Sequence, residues 1–262
     1  IYSAIEFLEG QFGQKFDWDA FADGIRRFNE LNIHETNKWD VYAKCDNIAL
    51  NSMAQAFWRI YMYQQGANKH FEREAKVIWK YFEKCLKKDI RPFKYKHRAL
   101  AWSCGSTYYD SATCWLYQCW GILTVINMDS LTGHNIVDTE DRDEMMSDIA
   151  DLYARSPMRT HTVGGNRHIL MMFETAAKFN CDMIVMYDDI GCKGMAGCQG
   201  LLEEEFRKHP EFHIMWMPHA LMDCRTVPTA EARKVVNDYM TTVLHEEPVD
   251  PSLVDFDDSE GW

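Results

Sequence analysis

The spacing of apolar positions divides the chain in two. Over residues 1–90 they recur at intervals of three and four: Ile5 and Leu8, then Phe21, Ile25, Phe28 and Leu31, and later Ala75, Ile78, Trp79 and Phe82. That period belongs to helices that bury one face, and it predicts a helical layer throughout this segment. Asp17 ahead of Trp18 and Asn68 ahead of Lys69 carry side chains suited to N-caps, and Gly13 and Gly66 suit helix stops. After Arg91-Pro92 the pattern changes. Apolar runs of strand length at 97–102, 122–126, 183–187 and 213–217 alternate with amphipathic stretches near 107–120, 140–155, 163–179, 196–208 and 229–245. Such alternation predicts an open, mainly parallel sheet covered by helices. The expected class is therefore α/β, divided into a helical segment at 1–92, an α/β lobe at 93–245 and an acidic extension at 246–262. Pro248, Pro251 and weak periodicity make the extension either surface-hugging or mobile.

Composition narrows the function classes. Of 262 residues 47% are apolar and 26% charged, with 7 Pro and 14 Gly, which describes a packed globular chain. No apolar run approaches the roughly 18–20 residues of a membrane-spanning helix. The net charge is −12, but residues 246–262 hold seven acids and no base, which leaves only five of those charges to the body. No clustered Lys and Arg provide a footprint for nucleic acid or anionic lipid. The nine cysteines, at 45, 85, 104, 114, 119, 181, 192, 198 and 224, are odd in number and fall mostly inside regular segments. They point to a reducing, cytoplasmic setting with free or metal-bound thiols. The chain opens inside an amphipathic helix, with neither an initiator Met nor a signal-peptide pattern, so an N-terminal part is expected to precede it.

Three loops that follow predicted strands gather the reactive residue types: Trp102-Ser-Cys-Gly-Ser-Thr, Asp188-Asp-Ile-Gly-Cys-Lys-Gly-Met-Ala-Gly-Cys-Gln-Gly and Pro218-His-Ala-Leu-Met-Asp-Cys-Arg. In a parallel sheet all three meet at the carboxyl edge, where ligands bind. Each carries a cysteine: Cys104, Cys192 with Cys198, and Cys224. Gly191, Gly194, Gly197 and Gly200 in the second loop let backbone approach a bulky group and expose amides to sulfide or an anion. A thiolate there suits an iron–sulfur cluster, although six-residue spacing is not a familiar cluster motif. Two buried thiols in a Gly-rich loop are the other reading.

Cys104, beside Ser103 and Ser106, is either a packed cysteine or a nucleophile that needs a nearby His. Cys45, Cys85, Cys114 and Cys119 fall on predicted helices among aromatics and are expected in the core, as are Trp102, Trp115, Tyr117 and Trp120. Neither a G-x-x-x-x-G-K-[ST] loop nor a strand-borne G-x-G-x-x-G is present. His161 and His168, seven apart, do not make a zinc site. Gly164-Gly165-Asn166 suits an anion on a helix start or a plain N-terminal turn.

Taken in chain order, these motifs resemble a known family. The run Ile184-Val-Met-Tyr-Asp-Asp-Ile-Gly-Cys192-Lys193, a helix, a strand, Met222-Asp223-Cys-Arg225-Thr-Val and the helix from Ala230 are similar to the 2-hydroxyacyl-CoA dehydratase and benzoyl-CoA reductase family. Phe12-Gly-Gln-Lys-Phe-Asp-Trp-Asp-Ala-Phe-Ala-Asp-Gly-Ile-Arg-Arg-Phe-Asn-Glu extends the likeness backward. Asp189-Ile190-Gly191 stands where the family has Asn-Arg-Ser, and Asp223-Cys224-Arg225 where it has Asp-Pro-Arg.

The resemblance implies a flavodoxin-like lobe and a four-iron, four-sulfur cluster with Cys192 as one ligand. The family's other two cysteines fall N-terminal to residue 1, and Cys198 or Cys104 is expected to supply a local thiol to the cluster, with Cys198 as the second candidate metal ligand. Ser103, Cys104, Ser106, Lys193, Asp223 and Arg225 are the implied substrate contacts. The implied chemistry is one-electron reduction of an acyl-CoA thioester and loss of the hydroxyl from a ketyl radical, or ring reduction in the reductase branch. The implied partners are a homologous second subunit, an ATP-dependent activator ATPase, and ferredoxin or flavodoxin as electron donor. Two alternatives are a degenerate, cluster-free scaffold subunit and a cofactor-free acyltransferase using Cys104.

Overall fold

The computed structural model describes residues 1–52, 54, 55, 58, 68–103, 110–128, 131, 136–155, 166–221, 223 and 225–256. Among these residues three described helices lead: α1 (Tyr2–Phe12), α2 (Trp18–Lys44) and α3 (Lys69–Lys87). The α/β part follows as β1 (His97–Trp102), α4 (Asp110–Trp120), β2 (Ile122–Asn127), α5 (Arg142–Ala154), α6 (Asn166–Lys178), β3 (Met183–Asp189), α7 (Lys193–Phe206), β4 (His213–His219) and α8 (Thr229–Asp238). A π-turn at Tyr239–Val243 and a 3-10 turn at Pro251–Leu253 complete it.

The four strands begin where expected, with β3 and β4 running two residues past their expected ends, and capping explains the first helices. Asp17 accepts the Ala20 amide and Asn68 the His70 amide, and Gly13 ends α1 at φ 65, a conformation that costs glycine nothing. Gly66 lies outside the described residues. Helix does not run unbroken to residue 90, because α2 stops at Cys45, whose extended backbone makes it a cap and not a helical core residue. Cys114 also departs from expectation. It is exposed on α4, whereas Cys85 and Cys119 are buried. The last helix is shorter than its pattern, giving way to the π-turn at Tyr239.

The four strands are all parallel in the order β2-β1-β3-β4. Helices cover both faces, which is why β1 and β2 are buried at every position and read as continuous apolar runs. Alternation sorts the strand residues. Leu100, Trp102, Ile184 and Met186 join Trp39, Tyr42 and Phe82 of the helical layer, Met172 and Phe173 of α6 and Leu202 of α7 in one core. Ala99, Ala101, Met183, Val185 and Met217 face the opposite way, onto Trp115 and Trp120 of α4 and Val236 of α8. Trp102, Trp115 and Trp120, expected in the core, are core residues of two different layers.

The start of β1 ties these layers together. Arg98 is buried, at 6% exposure, and its guanidinium donates to the carbonyls of Phe179 (2.6 Å), Cys45 (3.3 Å) and Tyr42. Those carbonyls lie at the C-terminal ends of α6 and α2, where a helix's unpaired acceptors favour a cation.

His97 clasps the C-terminal extension. Its Nδ1 lies 2.7 Å from an Asp182 carboxylate oxygen and its Nε2 2.8 Å from Glu246. Lys96 donates to the Glu247 carbonyl at 2.6 Å. Beyond the clasp, Val249 N–H donates to the Cys119 carbonyl (2.7 Å), Trp115 Nε1 donates to the Leu253 carbonyl (2.7 Å), and Arg233 donates to the Phe256 carbonyl (2.6 Å). Residues 246–256 therefore hug the surface across α4 and α8.

Removing Arg98 strands three carbonyls. Arg98→Met is expected to cost about 3–5 kcal/mol of unfolding free energy, measured by urea denaturation.

The His97 clasp sets a pH dependence. The hydrogen bond to Asp182, with help from Glu246 and against burial, raises the imidazole pKa. Its contribution is complete below about pH 6.5, the unfolded value, and is lost as pH rises through the raised folded pKa. Burial pushes Asp182 up, but the bonds from His97 and the Arg98 amide outweigh it and hold the carboxyl below its ordinary range. Its contribution is complete above about pH 3.9 and is lost on acidification through that lowered pKa. The melting temperature is expected to fall between about pH 6 and pH 9, with about 2–4 °C of that fall absent in His97→Gln. An unchanged pH slope in the variant contradicts the clasp.

Candidate functional site

A sheet whose chain moves from β1 to β2 and then returns past β1 to β3 has its switch point between β1 and β3. Ligands in such sheets sit outside the carboxyl ends of the strands at that point. β1 stops at Trp102, which pairs with Met186, whereas β3 and β4 continue together to Asp189 and His219. β3 and β4 thus run past the end of β1 on one side of that point.

At the β1 end Ser103 is buried, with φ 71, a left-handed backbone that an L-residue adopts only at some cost. Trp102 Nε1 donates to His168 Nε2 at 2.9 Å. An indole N–H only donates, so this nitrogen carries the lone pair and the neutral ring holds its proton on Nδ1. His168 is buried in the first turn of α6, and the sequence pattern had assigned it no role. Its nearness to the switch point comes from the β1–α6 packing, which no local motif announces. Cys104 and Ser106 lie outside the described residues.

At the β3 end the chain turns sharply. Asp189 Oδ1 accepts the amides of Gly191 (3.1 Å) and Leu221 (3.2 Å), and the Asp189 carbonyl accepts the Cys192 amide (2.9 Å). The Ile190 amide donates to the His219 carbonyl (3.2 Å), carrying the β3–β4 pairing into the turn. Cys192 is the N-cap of α7, half-buried against the larger core. Lys193 begins the helix and is exposed.

α7 begins three residues earlier than its pattern suggests, so Gly194, Gly197 and Gly200 are helical and do not belong to a loop. A Cβ at Gly197 or Gly200 would meet nothing within 4 Å. The helix survives its glycines because Leu202 and Phe206 anchor its second half to the core. Cys198 is half-buried within it, about 9 Å along the axis and 240° around from Cys192 by helix geometry.

After β4 the loop folds on itself. Asp223 accepts the Arg225 amide (3.0 Å) and Nε (2.8 Å) on one oxygen and a terminal guanidinium nitrogen (2.8 Å) on the other. This pairing holds the Asp223 carboxyl down at about 2, while the Arg225 side chain stays 87% exposed. Solvent screens such a pair, so it shapes the loop more than it stabilises the fold. Cys224 lies outside the described residues.

A cluster ligand must be a thiolate at a place that tolerates negative charge and close backbone. Cys192 fits: it caps a helix of 14 residues, whose aligned first-turn amides favour an anion. Its own amide is tied back to Asp189, so the turn is tight around the thiol. Among the described residues no group of three His, Cys, Asp or Glu side chains is placed to hold a metal ion. Among the described residues no helix is long and apolar enough to cross a membrane.

The sequence matches the family described as 2-hydroxyglutaryl-CoA dehydratase, D-component, over residues 1–221. No curated protein matches the chain. The matched range runs from α1 through β4 and contains both the β1 and β3 ends of the crevice; Asp223, Arg225, α8 and the clasped extension lie beyond it. Matched over most of its length in this way, the chain belongs to the 2-hydroxyglutaryl-CoA dehydratase D-component family.

Proposed function

We propose that this chain is a subunit of a 2-hydroxyacyl-CoA dehydratase, in which Cys192 contributes one thiolate to a four-iron, four-sulfur cluster. The observation that carries the proposal is the position of Cys192 within the family-matched range: the cap of α7, in a turn fixed by Asp189, at the carboxyl edge of the sheet. Bound there, such a cluster supplies single electrons at low potential to the thioester carbonyl of an acyl-CoA. The chain's own residues do the rest. The α7 amides accommodate negative charge beside the thiol. Lys193 and Arg225 offer exposed cations to the anionic parts of a CoA ester, and the buried Trp102–His168 pair gives the β1 side of the crevice a rigid wall. Ser103 and Asp223 line the same edge.

The chain pairs with a homologous second subunit. An ATP-dependent activator fed by ferredoxin or flavodoxin delivers the electron, in the cytoplasm. Reduction of an aromatic acyl-CoA ring is the alternative outcome of the same electron transfer.

The test uses the full chain with its partner chains and activator under anaerobic conditions, with 2-hydroxyacyl-CoA as substrate. Cys192→Ser is expected to lower the dehydration rate by more than about 100-fold, because loss of a ligand exceeds the usual cost of losing a supporting contact. Cys114→Ser, on the exposed side of α4, is expected to stay within about twofold of the parent. A fully active Cys192→Ser complex contradicts the ligand role. Ring reduction without dehydration moves the chain to the reductase branch.

A further inference from the structure

We infer that Asp189 is a positioning residue that locks the Cys192 turn to the loop after β4, so that the thiol and the Asp223–Arg225 loop are held in one fixed relation. The inference deepens the cluster reading and rests on it for the role of the thiol, but the staple itself stands on observed bonds. The Gly191 amide on Asp189 Oδ1, alone, is a common local turn. The second bond sets it apart. Leu221 lies 32 residues away, past α7 and β4, and its amide reaches the same oxygen. One carboxylate oxygen therefore takes an amide from each of the two loops.

The main chain of Asp189 contributes as well, because its carbonyl accepts the Cys192 amide. Asp189 is also the last β3 residue paired with β4, opposite His219, so the staple is built on the end of a ladder and not on a free loop. Two backbone amides from different loops converge on one side-chain oxygen. Their loss frees both loops together. At a cluster edge, supporting contacts of this kind orient the ligand and adjust the metal's environment.

Asp189→Ala and Asp189→Asn, made in the full chain and studied with the partner chains present, test the staple. The first removes the acceptor. The second keeps an oxygen in the same place and removes the charge. Hydrogen exchange at Gly191 and Leu221 is expected to accelerate together, by about tenfold or more, in Asp189→Ala, with Cys192 alkylation by iodoacetamide faster in the same variant. Asp189→Asn is expected to restore most of the protection at both amides, showing that the acceptor geometry and not simple misfolding is responsible. In the iron-loaded protein, the reduced-state electron paramagnetic resonance spectrum is expected to change in Asp189→Ala and to return toward the parent in Asp189→Asn.

Acceleration at Gly191 alone, with Leu221 and Cys192 unaffected, overturns the inference, as does an Asp189→Asn variant as loose as Asp189→Ala. If the parent protein binds no iron, the cluster reading fails while the exchange and alkylation results still decide the staple.

Discussion

A buried guanidinium organises this fold. Arg98 sits at the start of β1 and fills carbonyls at the ends of α2 and α6, so the helical layer and a helix of the α/β part meet the central strand at one cation. Burying a charge without partners is prohibitive, and once the cation is there its acceptors have little freedom to move. Its neighbour His97 binds the C-terminal extension instead. Two consecutive residues thus attach the helical layer and the extension to the same strand, and the opposite end of that strand is left to form the crevice.

That crevice follows from strand order. Because β3 lies on the far side of β1 from β2, the switch point falls between β1 and β3, where sheets of this kind bind ligands. Each end is held by a specific device: on the β1 side, a left-handed Ser103 and the Trp102–His168 bond; on the β3 side, the Asp189 turn beneath Cys192. A thiol so placed has a helix start behind it, strand ends beside it and the exposed Lys193 next in the chain. The proposed cluster role rests on that combination.

Much of this was legible in the residues. The strands were found because they are buried on both faces and carry continuous apolar runs between polar turns, and Asp17 and Asn68 marked their helices because capping is local. Cys192 stood out because it follows a strand and precedes a helix. The start of α7 was misplaced because four glycines signal a loop by propensity, and the packing of Leu202 and Phe206 that overrides them is tertiary. Cys114 was expected inside because it lies among aromatics on a predicted helix, but on α4 it is exposed. The clasp between His97 and Glu246, the His168 contact and the Leu221 bond to Asp189 join residues 149, 66 and 32 apart. Local pattern carries no trace of contacts made only when the sheet assembles.

The central claim is that Cys192 holds iron, and the most direct measurement is iron and acid-labile sulfide analysis of the anaerobically prepared complex, paired with low-temperature electron paramagnetic resonance after reduction. About four irons with matching sulfide in the parent complex, and loss of both the metal and the signal in Cys192→Ser, are the expected result. A parent complex without iron, or a Cys192→Ser complex with its iron and spectrum intact, contradicts the account.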